Sequence, residues 1–279
     1  MTMPLLSSAT PLEMSRFINP NNPVFSIATT DVVSVRQTAR VSGVLETMLF
    51  QGFRRLPVTD NQGRLTGIVS ETDVLNALGA GPKRHALRKG LETPVKSIMV
   101  SPPWYVPRTH TIKRALSDLR ACGAGVLPVV DEQRPMGIIS EYDFAVSVRS
   151  RTGLAVGAVM TGKPLVVKEE YPVREVARML VIGPYRKLPV VQSGMLSGIV
   201  TPHDILSHLY RNRKLGRLAK DSSPVRDAMN RRVSVVHPLD DIFVAASRMR
   251  TREIGGLPVV DELDMVGIIT KNDIAGIFG

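Results

Sequence analysis

Four short polar pairs carry the chemistry this chain could do. They are Ser70 with Asp73, Ser140 with Asp143, Thr201 with Asp204, and Thr270 with Asp273, each spelling S/T-x-x-D. Two chemistries share that spacing. A hydroxyl followed three residues later by an acid can cap a helix, satisfying backbone N–H groups that have no partner in the first turn. The same helix start favours phosphate, and an ionised aspartate can accept hydrogen bonds from both hydroxyls of a ribose. The spacing leaves both readings open.

The elements that must position these pairs are repeated with them. Each pair closes a longer phrase that begins LPV at Leu56, Leu127, Leu188 and Leu257 and passes through Gly67, Gly137, Gly198 or Gly267. The four aspartates are 70, 61 and 69 residues apart, and Asp73 to Asp204 (131) nearly equals Asp143 to Asp273 (130), so an older pair was duplicated whole. Units 1 with 2 and 3 with 4 are the expected pairs. Val95-Lys-Ser-Ile-Met99, Val156-Gly-Ala-Val-Met160 and Val225-Arg-Asp-Ala-Met229 open units 2 to 4, and Val24-Phe-Ser-Ile-Ala28 opens the first with alanine for methionine.

A short strand is expected next, for example at Leu165–Val167 or Val233–Val236. An apolar stripe at helical spacing follows: Val41, Val44, Leu45, Met48; Ile112, Ala115, Leu116, Leu119; Val173, Val176, Ala177, Leu180; Ile242, Ala245, Ala246, Met249. LPV, a polar turn and the Gly-led apolar run read as a strand hairpin. Each unit is therefore β-α-β-β-α, and one such unit leaves an apolar surface uncovered, so units should pair.

In this order, V-x-x-h-M, strand, helix, LPVVD and G-h-h-[ST]-x-x-D, the chain resembles the cystathionine-β-synthase (CBS) domain, four times from about Val24 to the C-terminus. The resemblance implies an α/β (α+β) fold of two Bateman modules in a pseudo-twofold disk. The divisions are a flexible arm at 1–23, units at 24–80, 95–150, 151–210 and 225–279, and basic linkers at 81–94 and 211–224. It also implies an adenine nucleotide (AMP, ADP or ATP) as effector, the Asp on ribose and the Ser/Thr near phosphate. Related units often carry a basic group two residues before LPV that reaches phosphate. Arg54 and Arg186 stand there in units 1 and 3, followed by Arg55 and Lys187, while Gly125 and Gly255 stand there in units 2 and 4. His203 and Lys271 are further candidate donors. The adenine slot, which the family places between the opener and the LPVV strand, is expected at Thr161, Leu165 and Val190 in unit 3, and at Val100, Trp104 and Val129 in unit 2.

The chain of 279 residues is 43% hydrophobic and 22% charged, which suits folded domains, with net charge +11 and pI ≈ 10.1. Residues 1–78 are neutral, 79–150 carry +5 and 151–279 carry +6. A localised basic excess, richer in arginine than lysine, suits an anionic partner. Two basic linkers hold much of it: Lys83, Arg84, Arg88 and Lys89, then Arg211, Arg213, Lys214, Arg217 and Lys220. They are read either as solubilising segments or as a phosphate-binding patch. With the CBS resemblance, the first expectation is a nucleotide-sensing regulator acting on RNA or the ribosome, as a hibernation factor would. The second is a regulatory subunit like the gamma subunit of AMP-activated kinases, binding a protein or a second copy of itself. The five histidines form no metal-ligand spacing, and no nucleophile stands beside a base, so no metal and no catalysis are expected. The single cysteine, the lack of a membrane-length apolar run and the unconvincing leader predict a cytoplasmic protein.

Overall fold

The structure, a computed structural model, describes residues 12–82 and 90–278. Unit 1 runs through β1 (Val35–Arg36), α1 (Val41–Gln51), β2 (Arg55–Thr59), β3 (Leu65–Ser70) and α2 (Glu71–Leu75), which continues as a wider turn to Ala80. Unit 2 has β4 (Val106–Pro107), α3 (Ile112–Cys122), β5 (Val126–Asp131), β6 (Arg134–Ser140) and α4 (Glu141–Ala145). Unit 3 has β7 (Thr161–Gly162), β8 (Val167–Lys168), α5 (Val173–Ile182), β9 (Leu188–Gln192), β10 (Met195–Val200) and α6 (Pro202–Arg211). Unit 4 has α7 (Ile242–Arg252), β11 (Gly256–Asp261), β12 (Asp264–Thr270) and α8 (Lys271–Gly276). The opening strand expected at Val233–Val236 is reduced to one bridge, Val236 to Val259, and the one expected from Leu165 starts only at Val167.

The local rules act as the pattern requires. Every stripe residue named above is at most 2% exposed. In units 1 to 3 the helix is a crossover between two parallel strands, and the LPV strand then turns into an antiparallel hairpin. The register slips just before the glycine in all four hairpins, between Val58 and Thr59 in unit 1 and at the matching places in the others. Such a bulge bends the strand at that point.

Units pair by exchanging their openers. Each opener is a single 3₁₀ turn, at Val24–Ser26, Val95–Ser97, Val156–Ala158 and Val225–Asp227. Beyond it, Thr29 bridges Ile138, Val100 bridges Ile68, Thr161 bridges Ile268 and Asn230 bridges Ile199. Every bridge crosses from one unit to its partner, 1 with 2 and 3 with 4. The opener's methionine then lies on the partner's glycine. A Cβ on Gly67, Gly198 or Gly267 would collide with the sulfur of Met99, Met229 or Met160. At Gly137 the opposing residue is Ala28, whose Cβ would be met at 3.3 Å.

The cores join the units the other way. Units 1 and 3 share one core, and units 2 and 4 share the other. Helix α2 contacts α5 and α6, while α4 lies against α8. Each unit thus packs mainly on two neighbours, in the ring order 1-2-4-3.

Odd and even units differ in one respect that the arginines explain. The second helix is long in units 1 and 3, reaching Ala80 and Arg211, and short in units 2 and 4, ending at Ala145 and Gly276. A short helix exposes carbonyls at its end. Arg120 Nη2 donates to the carbonyls of Ala275 and Phe278, both at 2.7 Å, and Arg250 Nη1 donates to Val146 at 2.9 Å. The same positions in units 1 and 3 are Leu49 and Val181, which pack on the shared core.

The arm expected to be flexible is held from Leu12 onward. Its N–H donates to Ile277 at 2.8 Å, Met14 is buried in the core of units 2 and 4, and Phe17 meets Phe278 edge-on at 6.1 Å. Apolar side chains at Met14 and Phe17 give this segment burial that its polar neighbours hide in a composition count.

Candidate functional site

The four S/T-x-x-D pairs all form capping boxes. In each, Asp Oδ2 accepts from the backbone N–H and the hydroxyl of the Ser or Thr, as in Ser70 to Asp73 at 2.9 and 2.6 Å. The cap uses one oxygen and leaves Oδ1 clear of it. Capping and ligand binding are therefore compatible at one residue. Burial raises the carboxyl pKa of Asp143, Asp204 and Asp273 above the usual range.

The exchanged openers form the walls beside these caps. In the pair of units 1 and 2 they bound a cleft of about 360 Å³. Ile68, Ser70, Thr72, Asp73 and Arg55 come from unit 1, Val100, Trp104 and Val126 from unit 2, and Arg186 from unit 3. Trp104 is 68% exposed, an indole face open to a flat ligand. An apolar wall, a ribose-competent carboxylate and two guanidinium groups thus share one cleft. Trp104 and Val100 lie beside Asp73, not the Asp143 of their own unit. Val129 is fully buried in the sheet and does not line that cleft.

Unit 3 shows the same exchange. Thr161, Leu165 and Val190 do not form one slot. Thr161 pairs with Ile268 of unit 4 and so belongs beside Asp273, while Val190 is fully buried. Leu165 stands where Trp104 stands in unit 2 and is 39% exposed. Asp204 is instead faced by the opener of unit 4, which bridges Ile199 through Asn230 and continues Arg231-Arg232.

Basic groups converge between the caps. The residue before LPV in each odd unit fills space left by glycine in its even partner. Arg55 lies at Gly125, where a Cβ would meet its Nη2 at 3.4 Å, and Lys187 lies at Gly256, where a Cβ would meet its Nζ at 2.6 Å. Burial, then the nearby Arg54 and Lys271, lower the Lys187 ammonium to about 7 against the opposing pull of Asp273. Burial likewise lowers Arg55, opposed by Glu141. Two ion pairs join the pairs of units across the helix interfaces: His203 Nδ1 to Glu71 at 2.7 Å, and Lys271 Nζ to Glu141 at 3.2 Å. The hydrogen bond from Glu71 raises the His203 pKa. Arg54 is exposed, its Nη2 3.5 Å from the Glu253 carbonyl of unit 4, and Arg186 is exposed with Nη1 at the Gly183 and Tyr185 carbonyls. Sequence reasoning singled out Arg54 and Arg186 but missed Arg55 and Lys187 as the inward members. The glycines opposite them were the available signal.

Of the basic linkers, Lys83, Arg84, Arg88 and Lys89 lie outside the described residues. In the second, Arg211 ends α6, and Leu215–Lys220 forms a 3₁₀ helix. Arg211, Arg213, Arg217 and Lys220 are exposed. Lys214 turns inward, to Ser223 Oγ at 2.7 Å and Asp221 at 3.3 Å, and so works within the linker. Among the described residues no group of His, Cys, Asp and Glu could hold a metal, and no helix is long and apolar enough to cross a membrane.

Comparison with known proteins agrees with the repeat. The family model described as "CBS domain" matches residues 24–80, 95–149, 156–211 and 225–278. The chain is 27% identical over 266 residues to the uncharacterized protein MJ1225 of Methanocaldococcus jannaschii, covering 88% of this chain and 95% of that one. It is 30% identical over 257 residues to an uncharacterized 33.4 kDa protein in the ribosomal RNA operon of Thermofilum pendens, covering 86% and 85%. The crystal structure of MJ1225 superposes with a TM-score of 0.84, covering 92% of this chain and all of that one.

Proposed function

The chain belongs to the CBS-domain family, and from that premise we propose that it is a non-catalytic, cytoplasmic regulator that binds an adenine nucleotide and acts on a polyanionic partner, the ribosome foremost. The cleft beside Asp73 carries the first half of this reading. Adenine stacks on Trp104 against Ile68 and Val100, the ribose hydroxyls meet Asp73 Oδ1, and phosphate extends toward Arg55 and Arg186. Titrating labelled AMP, ADP and ATP tests it. Trp104→Ala and Arg186→Ala should each weaken binding about tenfold or more, on the scale of one stacking or charged hydrogen-bond contact. Unchanged affinity in both removes the nucleotide assignment from this cleft.

The second half rests on the localised basic excess, the exposed arginines of the second linker, and the relative in a ribosomal RNA operon. Lys and Arg neutralising phosphates give salt-sensitive affinity. Ribosome co-sedimentation across a salt series, with and without AMP or ATP, is the direct test. Failure to co-sediment at low salt rules the ribosome out. A second reading follows from MJ1225, whose structure was described as that of a proposed archaeal homolog of g-AMPK. Under that reading the output is a protein partner, and nucleotide binding persists without RNA or ribosome affinity.

A further inference from the structure

The edge of the ring formed by units 1 and 3 differs in surface chemistry from the edge formed by units 2 and 4. Phe50, near the end of α1, is 70% exposed, and Ile182 at the matching place in α5 is 59% exposed. The same position holds Ala121 and Thr251 in the even units. Phe50 is held upright by Tyr210 near the end of α6, ring centroids 5.6 Å apart and planes at 85°. The Tyr210 hydroxyl in turn donates to Glu46 at 3.1 Å. Immediately after Tyr210 come Arg211, Arg213, Arg217 and Lys220, all exposed and none in an ion pair among the described residues. The one cation of this segment that turns inward, Lys214, fixes the 3₁₀ helix by its bonds to Asp221 and Ser223, so Arg213, Arg217 and Lys220 project from an ordered support, while Arg211 Nε donates to the Ser207 carbonyl at 3.3 Å and keeps its guanidinium exposed. Helix α6 and that 3₁₀ helix pack together, and the 3₁₀ helix also lies against the end of unit 1 at Asn76–Ala80.

We infer that this edge binds single-stranded RNA, with Phe50 stacking a base and Arg211, Arg213, Arg217 and Lys220 following the phosphates. An exposed aromatic ring beside a row of unpaired cations is the arrangement that serves unstacked bases. A regular duplex, whose bases are already stacked, uses only the cations. The inference rests on the polyanion reading above and narrows it to a surface and a form of RNA.

The test is binding of the whole protein to a labelled single-stranded oligouridylate, by fluorescence anisotropy at salt concentrations from about 50 to 200 mM. Phe50→Ala should weaken binding about tenfold with the salt dependence unchanged, because stacking releases no counterions. Arg211→Glu with Arg213→Glu should weaken it more and lower the slope of log affinity against log salt by about 1.4, two contacts at about 0.7 each. Arg149→Glu with Arg151→Glu, on the other edge, is the control, and unchanged melting temperatures show that the variants fold. Loss confined to the control pair overturns this edge and leaves the polyanion reading standing. A wild-type protein that binds no oligouridylate at the lowest salt overturns the single-stranded assignment, while ribosome co-sedimentation decides the polyanion reading on its own. Phe50→Ala binding as tightly as wild type while the arginine pair loses affinity overturns the single-stranded assignment.

Discussion

Gly67, Gly137, Gly198 and Gly267 are glycine because of what the partner unit lays on them. Met99, Met229 and Met160 occupy the space a side chain would need at three of these sites, while Ala28 faces Gly137. Gly67→Ala should therefore destabilise the protein by about 1–3 kcal/mol through overpacking. Gly137→Ala should cost less, and denaturant titration compares the two. Equal losses would mean that backbone, not the opener residue, sets the constraint. Lys187 supplies a second residue-scale prediction. The unfolded chain holds that proton up to about 10.4, and the folded chain only up to about 7. Between these values the unfolded state carries more protons, so this group makes stability rise with pH. Lys187→Met should flatten that rise. Lys187 does not line the Asp73 cleft, so Lys187→Met should leave nucleotide affinity there unchanged. Denaturant titration between about pH 7 and 10 and nucleotide titration on the same variant check the two outcomes.

The short helices of units 2 and 4 depend on arginines from the neighbouring unit. Arg120→Ala leaves the carbonyls of Ala275 and Phe278 without their donor and should cost about 1–3 kcal/mol, whereas Leu49, its counterpart in unit 1, acts through packing. Thermal melts of Arg120→Ala and Arg120→Lys give the check, with lysine restoring part of the loss because one nitrogen serves both carbonyls and an ammonium carries enough donors for two acceptors. At the other interface, α2 and α6 meet through Glu71 and His203. A raised histidine pKa stabilises the fold below the unfolded value and loses that contribution as pH rises through the folded one. His203→Gln should remove this loss from the pH profile of stability. The helices were legible in the sequence because an apolar stripe is a local signal, and all four stripes are buried as spaced. The docking of the openers was not, since V-x-x-h-M reads the same whether it lies on its own unit or on the next. The sequence therefore places Trp104 with Val129 of its own unit, whereas it faces Asp73 of the partner. The caps were legible as pairs, and only the geometry shows one carboxylate oxygen used by the cap and the other clear of it.

At the scale of the molecule, the four units close a ring by two kinds of contact, exchanged openers within pairs and shared cores between them. The described part of the N-terminal arm fastens the side of units 2 and 4. Leu12 bonds to Ile277, and Met14 enters the core of units 2 and 4. Met14→Ala should cost about 2–5 kcal/mol as a core truncation and leave nucleotide affinity in the Asp73 cleft unchanged, since no described arm residue lines it. Melting and ligand titration on the same variant separate the two. The exchange of openers has a consequence for how such chains can be inherited. A unit whose glycine notch must be filled from elsewhere is not self-sufficient, so copying one unit alone would leave one notch vacant and one methionine without a seat. Copying two together keeps the arithmetic closed. The near-equal 131 and 130 residue offsets fit that parity. A gene carrying a single copy would have to complete itself by trading openers with a second molecule.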